Sequence, residues 1–200
     1  MLTKKKKGLI IVLSSPSGAG KTTLAKKLVS AHSNTKLSVS LTTRSPRNTE
    51  VDQIDYQFVN LNSFKKKIKK KLFLEYAKVF DNYYGTLKTQ VLKKIKNGQN
   101  VLLDIDWQGA RQVKKLMPHD VLSIFILPPS IKELENRLKK RKHESNFVKK
   151  RMSKAKQEIM HWNEYDYAIV NDDLNKCLIK IKQIINLEKY KSIRQLIKKF

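Results

Sequence analysis

A chain of 200 residues, 40% of them hydrophobic, is long enough to bury the core of one domain, and it contains no stretch of about 18 apolar residues that would span a bilayer. Its 43 lysines and arginines against 17 acids give a net charge of +26, a balance that favours anionic ligands and raises the question of nucleic acid. The charge lies mostly in lysine runs such as Lys65–Lys67, Lys69–Lys71 and Lys139–Lys140, whereas arginine, whose planar fork suits phosphates and base edges, stands only at 44, 47, 111, 137, 141, 151 and 194; this reads as charge on solvated helix faces and argues against a specific nucleic-acid partner.

In chain order, Lys4 to Lys7 followed by Leu9–Leu13 imitate a secretory leader, but the apolar run falls short of the roughly 7–15 residues a leader needs. It runs instead as a predicted strand into Ser15-Pro16-Ser17-Gly18-Ala19-Gly20-Lys21-Thr22, after which a helix extends from Lys21 to about Ala31 with Leu24 and Leu28 inward. Strand, glycine-rich turn and helix form the context of a phosphate-binding loop. Gly18 and Gly20 let backbone N–H groups turn toward a polyphosphate, Lys21 adds a mobile cation, and the Thr22 hydroxyl can ligate Mg²⁺. Ser15 stands where the general pattern has its first glycine.

A second strand is predicted at Leu37–Leu41, and the segment Ser38 to Arg47 ends in Arg44 and Arg47 with Pro46 stiffening the turn between them. Two forks on a rigid loop suit a terminal phosphate, although arginine-rich loops also arise as plain surface. From about Arg44 to Thr86 the rhythm of strand and helix breaks: short pieces at Tyr56–Val59 and Phe73–Val79 surround a lysine-rich helix near Ser63–Lys71, as in an inserted lobe. Glu75 is a carboxylate in an apolar alternating stretch, either solvated or facing a polar pocket, and Asn82-Tyr83-Tyr84-Gly85-Thr86 suits an aromatic hairpin better than a phosphate site.

The strand Val101–Ile105 brings Asp104 and Asp106 to one face of its C-terminal end, the edge where ligands of open α/β sheets gather. Asp104 is placed to act on Mg²⁺ or its waters, while Asp106 either meets a ligand or caps a helix beginning near Gln108. After a strand at Val121–Leu127, the capping box Ser130-Ile131-Lys132-Glu133 starts a helix that turns Leu134 and Leu138 inward. Arg137 and Arg141 share a face of that helix and Arg151 lies on the next, Phe147–Met160; they could close over transferring phosphates or stand as exposed cations. Tyr167–Val170 is a further strand. The last helix, from Leu174, carries Leu178, Ile181, Ile184 and Ile185 as its apolar stripe, and the C-terminal stripe Leu178–Phe200 could pack internally or meet a second copy in a homo-oligomer. Within that helix the single Cys177 reads as a small core residue. None of His32, His119, His143 and His161 has metal or triad spacing, and Trp107 and Trp162 read as packing residues. The whole alternation implies an α/β fold, a parallel sheet covered by helices on both faces.

Taken together and in this order, the segments Pro16–Thr22, Ser40–Arg47, Asp55-Tyr56, Phe73–Glu75, Asn82–Thr86, Asp104–Gly109 and Phe125–Ser130 resemble the guanylate kinase family, over about Gly8 to Lys189. The resemblance implies one P-loop nucleoside-monophosphate-kinase-like domain of three layers: a core of about residues 8–43, 87–130 and 164–200, a GMP-binding lobe of about 44–86 and a helical lid of about 131–163. It implies a cytoplasmic phosphotransferase with ATP and GMP as substrates and Mg²⁺ accompanying ATP. Carried over by position, Arg44, Arg47, Tyr56 and Tyr84 would hold the phosphate of GMP, and Ser40, Glu75, Thr86 and Asp106 would face its guanine. The loop from Ser15 through Pro16, Ser17, Gly18, Ala19, Gly20 and Lys21 to Thr22, together with Asn171, would hold ATP. Lys21, Arg44, Arg137, Arg141 and Arg151 would act on the transferring phosphate, and Thr22 and Asp104 would hold the metal. Where the family pattern has glycines before Asp55, this chain has Thr49 and Gln53. The rival readings are a kinase for another nucleoside monophosphate, a non-catalytic interaction module of the same fold, and nucleic-acid binding through the lysine surface.

Overall fold

A computed structural model describes residues 7–140 and 145–191, without the side chains of 145–147. Lys4 to Lys6, Arg141, His143 and the end of the C-terminal stripe lie outside the described residues. The apolar runs dictate the centre of the molecule. β1 (Ile10–Ser14) is buried along its whole length, as a parallel strand covered on both faces must be. The phosphate loop then leads into α1 (Lys21–Ala31) and β2 (Thr35–Leu37). β3 (Leu41–Thr42) begins a second sheet, continued by β4 (Gln57–Phe58), α2 (Leu61–Lys69), β5 (Phe73–Val79) and β6 (Asn82–Leu87). α3 (Lys88–Lys96) returns the chain to the first sheet for β7 (Asn100–Asp104), α4 (Trp107–Leu116) and β8 (Val121–Leu127). α5 (Ile131–Lys139) and α6 (Ser145–Ile159) follow, then β9 (Tyr167–Val170) and α7 (Leu174–Glu188).

The first sheet is parallel throughout, in the order β2-β7-β1-β8-β9. Period-two alternation divides its side chains between two cores. Ile11 and Leu13 pack with Leu24 and Leu28 of α1 and Ile181 and Ile185 of α7, whereas Ile10 and Val12 pack with Val91 and Ile95 of α3 and Ala110 and Val113 of α4. This is the three-layer α/β arrangement. Cys177 lies fully buried in the first core, and that burial pushes its thiol up to about 11, well away from a reactive thiolate. Strand order reverses across β1, so the loops leaving β1 and β7 open side by side at one edge, with Leu13 opposite Asp104.

The second sheet is mixed, in the order β4-β3-β6-β5, and has its own small core in which the Phe64 and Phe73 rings stack 4.5 Å apart beneath α2. Its β5–β6 ladder is irregular: Phe73 pairs with Leu87 and Glu75 with Thr86, so Leu74 is an extra residue on its strand. Such a bulge shifts the alternation, and Phe73, Leu74 and Glu75 are consecutively buried.

The predicted strand Leu37–Leu41 is not one element. Thr35–Leu37 pairs with β7 and Leu41–Thr42 with β4 and β6, and Ser38 to Ser40 cross between the two sheets. The capping box is half made: Ser130 Oγ accepts from the Glu133 N–H at 3.0 Å, but the Glu133 carboxylate turns to Arg137 instead, 2.8 Å from Nε. No helix among the described residues is long and apolar enough to cross a membrane. Because Ile11 sits fully buried in the central strand, Ile11→Ala is expected to cost about 2–5 kcal/mol, read from the shift in the urea unfolding midpoint at unchanged slope.

Candidate active site

The loop after β1 is shaped by Gly18 and Gly20, whose φ of 97° and 98° L side chains rarely adopt. Close packing adds to the constraint at Gly20, where a Cβ would lie 2.5 Å from Asn171 Nδ2. That amide donates to the Ala19 carbonyl at 2.7 Å and is buried, so Asn171 braces the loop from within. Ser15 needs no glycine, since its φ is not positive. At Gln53 the chain does adopt the glycine-like conformation, with φ 64°, and the turn closes through Gln53 N–H to the Tyr56 carbonyl at 2.8 Å.

Lys21 Nζ lies 2.6 Å from Asp104 Oδ1 and donates to the Ile105 carbonyl at 3.2 Å, while the Thr22 hydroxyl stands 3.4 Å from Asp104 Oδ2. Burial, the largest single influence, would lower the Lys21 pKa, but the Asp104 charge and hydrogen bond, joined by Tyr56 and Glu158, together outweigh it and the ammonium is held above its usual value. These groups form one wall of a cavity of about 280 Å³. The loop residues Ser15 to Gly18 lie beside them; Ser40, Arg47, Tyr56, Glu75 and Tyr84 come from the second-sheet region, Asp106 from the cap of α4 just past β7, and Arg151 and Glu158 from α6. Thr86 reaches the same group of residues through its hydroxyl, 3.0 Å from Ser40 Oγ.

Several residues are differently placed. Arg44 stands behind Tyr56, its guanidinium 5.4 Å from the ring centre, and is gripped by Glu50 through two bonds of 2.8 and 2.9 Å. Those bonds hold the Glu50 carboxyl below the usual range and raise Arg44. Arg137 pairs with Glu133, donates to the Asn171 carbonyl at 3.2 Å and lines a second cavity with Gly18, Gly20, Lys140 and Asn171. Arg137 and Arg151 thus approach the loop from different cavities. Arg151 donates to Ser17 Oγ, and Glu158 Oε2 accepts from the Ser17 N–H at 3.3 Å. Asp106 caps α4 by accepting from the Gly109 N–H at 3.0 Å and still lines the main cavity, so both readings of it hold geometrically.

Glu75 is 3% exposed, and its Oε1 is buried without a hydrogen-bond partner. Gly109 makes room for it, since a Cβ there would lie 2.5 Å from Glu75 Oε2. Burial pushes the Glu75 carboxyl up to about 7, Asp106 adds to the effect and hydrogen bonding from Thr86 opposes it. Glu50, Glu158, Gly109 and Phe80 also belong to this region and carry little signal in sequence; the trace that exists is the scarcity of acids, which makes any acid near an arginine loop worth inspection.

The folded carboxyl titrates near 7 and the unfolded one near 4.5, so Glu75 favours the fold most below about pH 4.5 and loses that contribution as the pH rises to about 7. Glu75→Gln is therefore expected to match the wild type at about pH 4 and to exceed its stability by about 2–3 kcal/mol at about pH 8. Urea unfolding across that range checks this, and parallel pH profiles would refute it.

The family model for guanylate kinase matches residues 7–188. The guanylate kinase of Maricaulis maris is 50% identical over 191 residues, covering 95% of this chain and 88% of the relative. That of Rickettsia prowazekii is 51% identical over 189 residues, covering 94% and 95%. The crystal structure of guanylate kinase from Anaplasma phagocytophilum superposes with a TM-score of 0.82 at 38% identity, covering 96% of this chain and 92% of that one. Identity at half of all positions across more than nine-tenths of the chain, on a fold that superposes over the same extent, leads to one conclusion: this protein belongs to the guanylate kinase family.

Proposed function

We propose that the protein transfers the γ-phosphoryl group of ATP to GMP, giving ADP and GDP, and that Glu75 selects the acceptor. The observation that carries this reading is the partnerless buried oxygen of Glu75 in a cavity whose opposite wall is a phosphate loop. Guanine exposes N1–H and N2–H₂ on one edge, and a carboxylate accepts both. Adenine presents an acceptor at N1 and leaves the charge unpaired, a mismatch worth ~10⁴ or more in discrimination. Ser40, Thr86 and Asp106 complete the base site.

The loop amides and Lys21 hold the donor phosphates, while Arg47, Tyr56 and Tyr84, with Arg44 behind them, take the acceptor phosphate. That phosphate has a second pKa of about 6, so it is already anionic at neutral pH and needs no strong general base. The work of the site is to hold two polyanions in line against their repulsion, which Lys21, Arg47 and Arg151 around the cavity offset. The Thr22 hydroxyl and Asp104 carboxylate are hard oxygen donors 3.4 Å apart, a set that fits Mg²⁺ sharing its remaining ligands with phosphate and water. When bound there, Mg²⁺ supplies charge neutralisation on the phosphates. The segment of about 131–163 acts as the lid, with Arg137 and Arg151 as its phosphate-facing cations. A cytoplasmic setting suits these substrates and a chain with a single buried cysteine. Lys21, Thr22 and Asp104 together favour catalysis over a non-catalytic module.

With MgATP and GMP, AMP, CMP and UMP offered in turn, ADP formation is expected with GMP alone at a useful rate. Lys21→Met should lower turnover at least about a hundredfold. Glu75→Gln should narrow the GMP-to-AMP ratio of kcat/KM by about a hundredfold or more; an unchanged ratio would reject the base assignment. Since the Glu75 carboxylate is the form that accepts from guanine, GMP affinity should fall about tenfold from pH 8 to pH 6, a slope that calorimetry should find reduced in Glu75→Gln.

A further inference from the structure

Phe80 ends the β5 arm at the turn into β6, and its backbone has φ 54°, a left-handed value that a bulky residue adopts only when its surroundings demand it. The ring lines the main cavity and faces α6. Lys154 Nζ lies 4.3 Å from the ring centre, Lys150 Nζ 5.5 Å and the Arg151 guanidinium carbon 5.7 Å. Lys150 and Lys154 are four residues apart, so their like charges share one helix face and repel. The electron-rich face of an aromatic ring offsets that repulsion. The same turn of α6 carries Arg151, which donates to Ser17 in the phosphate loop, and the next carries Glu158, which accepts from the Ser17 N–H at 3.3 Å. α6 is therefore tied to the donor loop on one side and to the acceptor-side hairpin on the other, and Phe80 makes the second tie.

We propose that Phe80 is a positioning residue: its ring latches the β5–β6 hairpin to α6 and so sets Arg151 over the phosphate loop when the acceptor site is in place. The role in turnover rests on the ATP-to-GMP reading above, whereas the latch itself does not. Phe80→Gly removes the ring and relieves the backbone, since glycine takes positive φ freely. The expected result is an unfolding midpoint no lower than that of the wild type together with a kcat reduced about tenfold or more, and a KM for GMP within about twofold because the base site is untouched. Phe80→Tyr keeps the aromatic face and should restore kcat. A wild-type kcat in Phe80→Gly, or a Phe80→Tyr variant as slow as Phe80→Gly, overturns the proposal. Amide hydrogen exchange across residues 148–158 reads the latch without any turnover: faster exchange in Phe80→Gly supports it, and unchanged exchange overturns it even in a protein that phosphorylates no GMP.

Discussion

The 2.6 Å ion pair between Lys21 and Asp104 is the contact around which this molecule is organised. One partner opens α1, just past the loop that follows β1, and the other ends β7; the two strands lie side by side although about eighty residues separate them in the chain. A parallel sheet brings them together only if the intervening chain leaves and returns on the same edge. The second sheet and α3 occupy that excursion, so Ser40, Tyr56, Glu75 and Tyr84 share a cavity with the loop because they are carried by the connection between β1 and β7.

Charge is distributed with the same economy. The chain has 17 acids for 43 basic residues, yet Lys21, Arg44 and Arg137 are each held by a carboxylate, from Asp104, Glu50 and Glu133. Close-set cations would repel one another, and these carboxylates offset that repulsion and hold the side chains in position. Lys65, Lys66 and Lys69 of α2 and Lys88, Lys93 and Lys96 of α3 are exposed to water, where screening makes their mutual repulsion tolerable, whereas Lys94 is half-buried and donates to the Leu37 carbonyl at 3.5 Å.

How far sequence carries one toward this picture depends on the element. β1 and β8 are legible because buried parallel strands are unbroken apolar runs, β9 because its four residues are apolar or aromatic although it lies at the sheet edge with Ile169 alone buried, and α1 because a glycine loop announces its start. α3 is nearly silent, with Val91 and Ile95 as its buried residues among lysines. The run Leu37–Leu41 misleads because periodicity measures burial, and both halves are buried in different sheets. Among site residues, the loop and Asp104 follow from local chemistry, whereas Arg44 reads as a free fork in sequence and is found held by Glu50, a pairing set by the fold of a loop. The departures at Thr49 and Gln53 likewise resolve in three dimensions: Gln53 alone takes a positive φ.

Glu75 could not be assigned to water or pocket from alternation because Leu74 interrupts the alternation. That single extra residue sends Leu74 into the main core and Glu75 into the cavity, where Gly109 has left space for it. Under the role proposed for Glu75, acceptor choice is a property of backbone register as much as of side-chain identity. A descendant that kept every residue named in the site and lost one residue at the bulge would turn the carboxylate to the other face of the sheet, so along this strand insertions and deletions, more than substitutions, set the limits within which the lineage can drift.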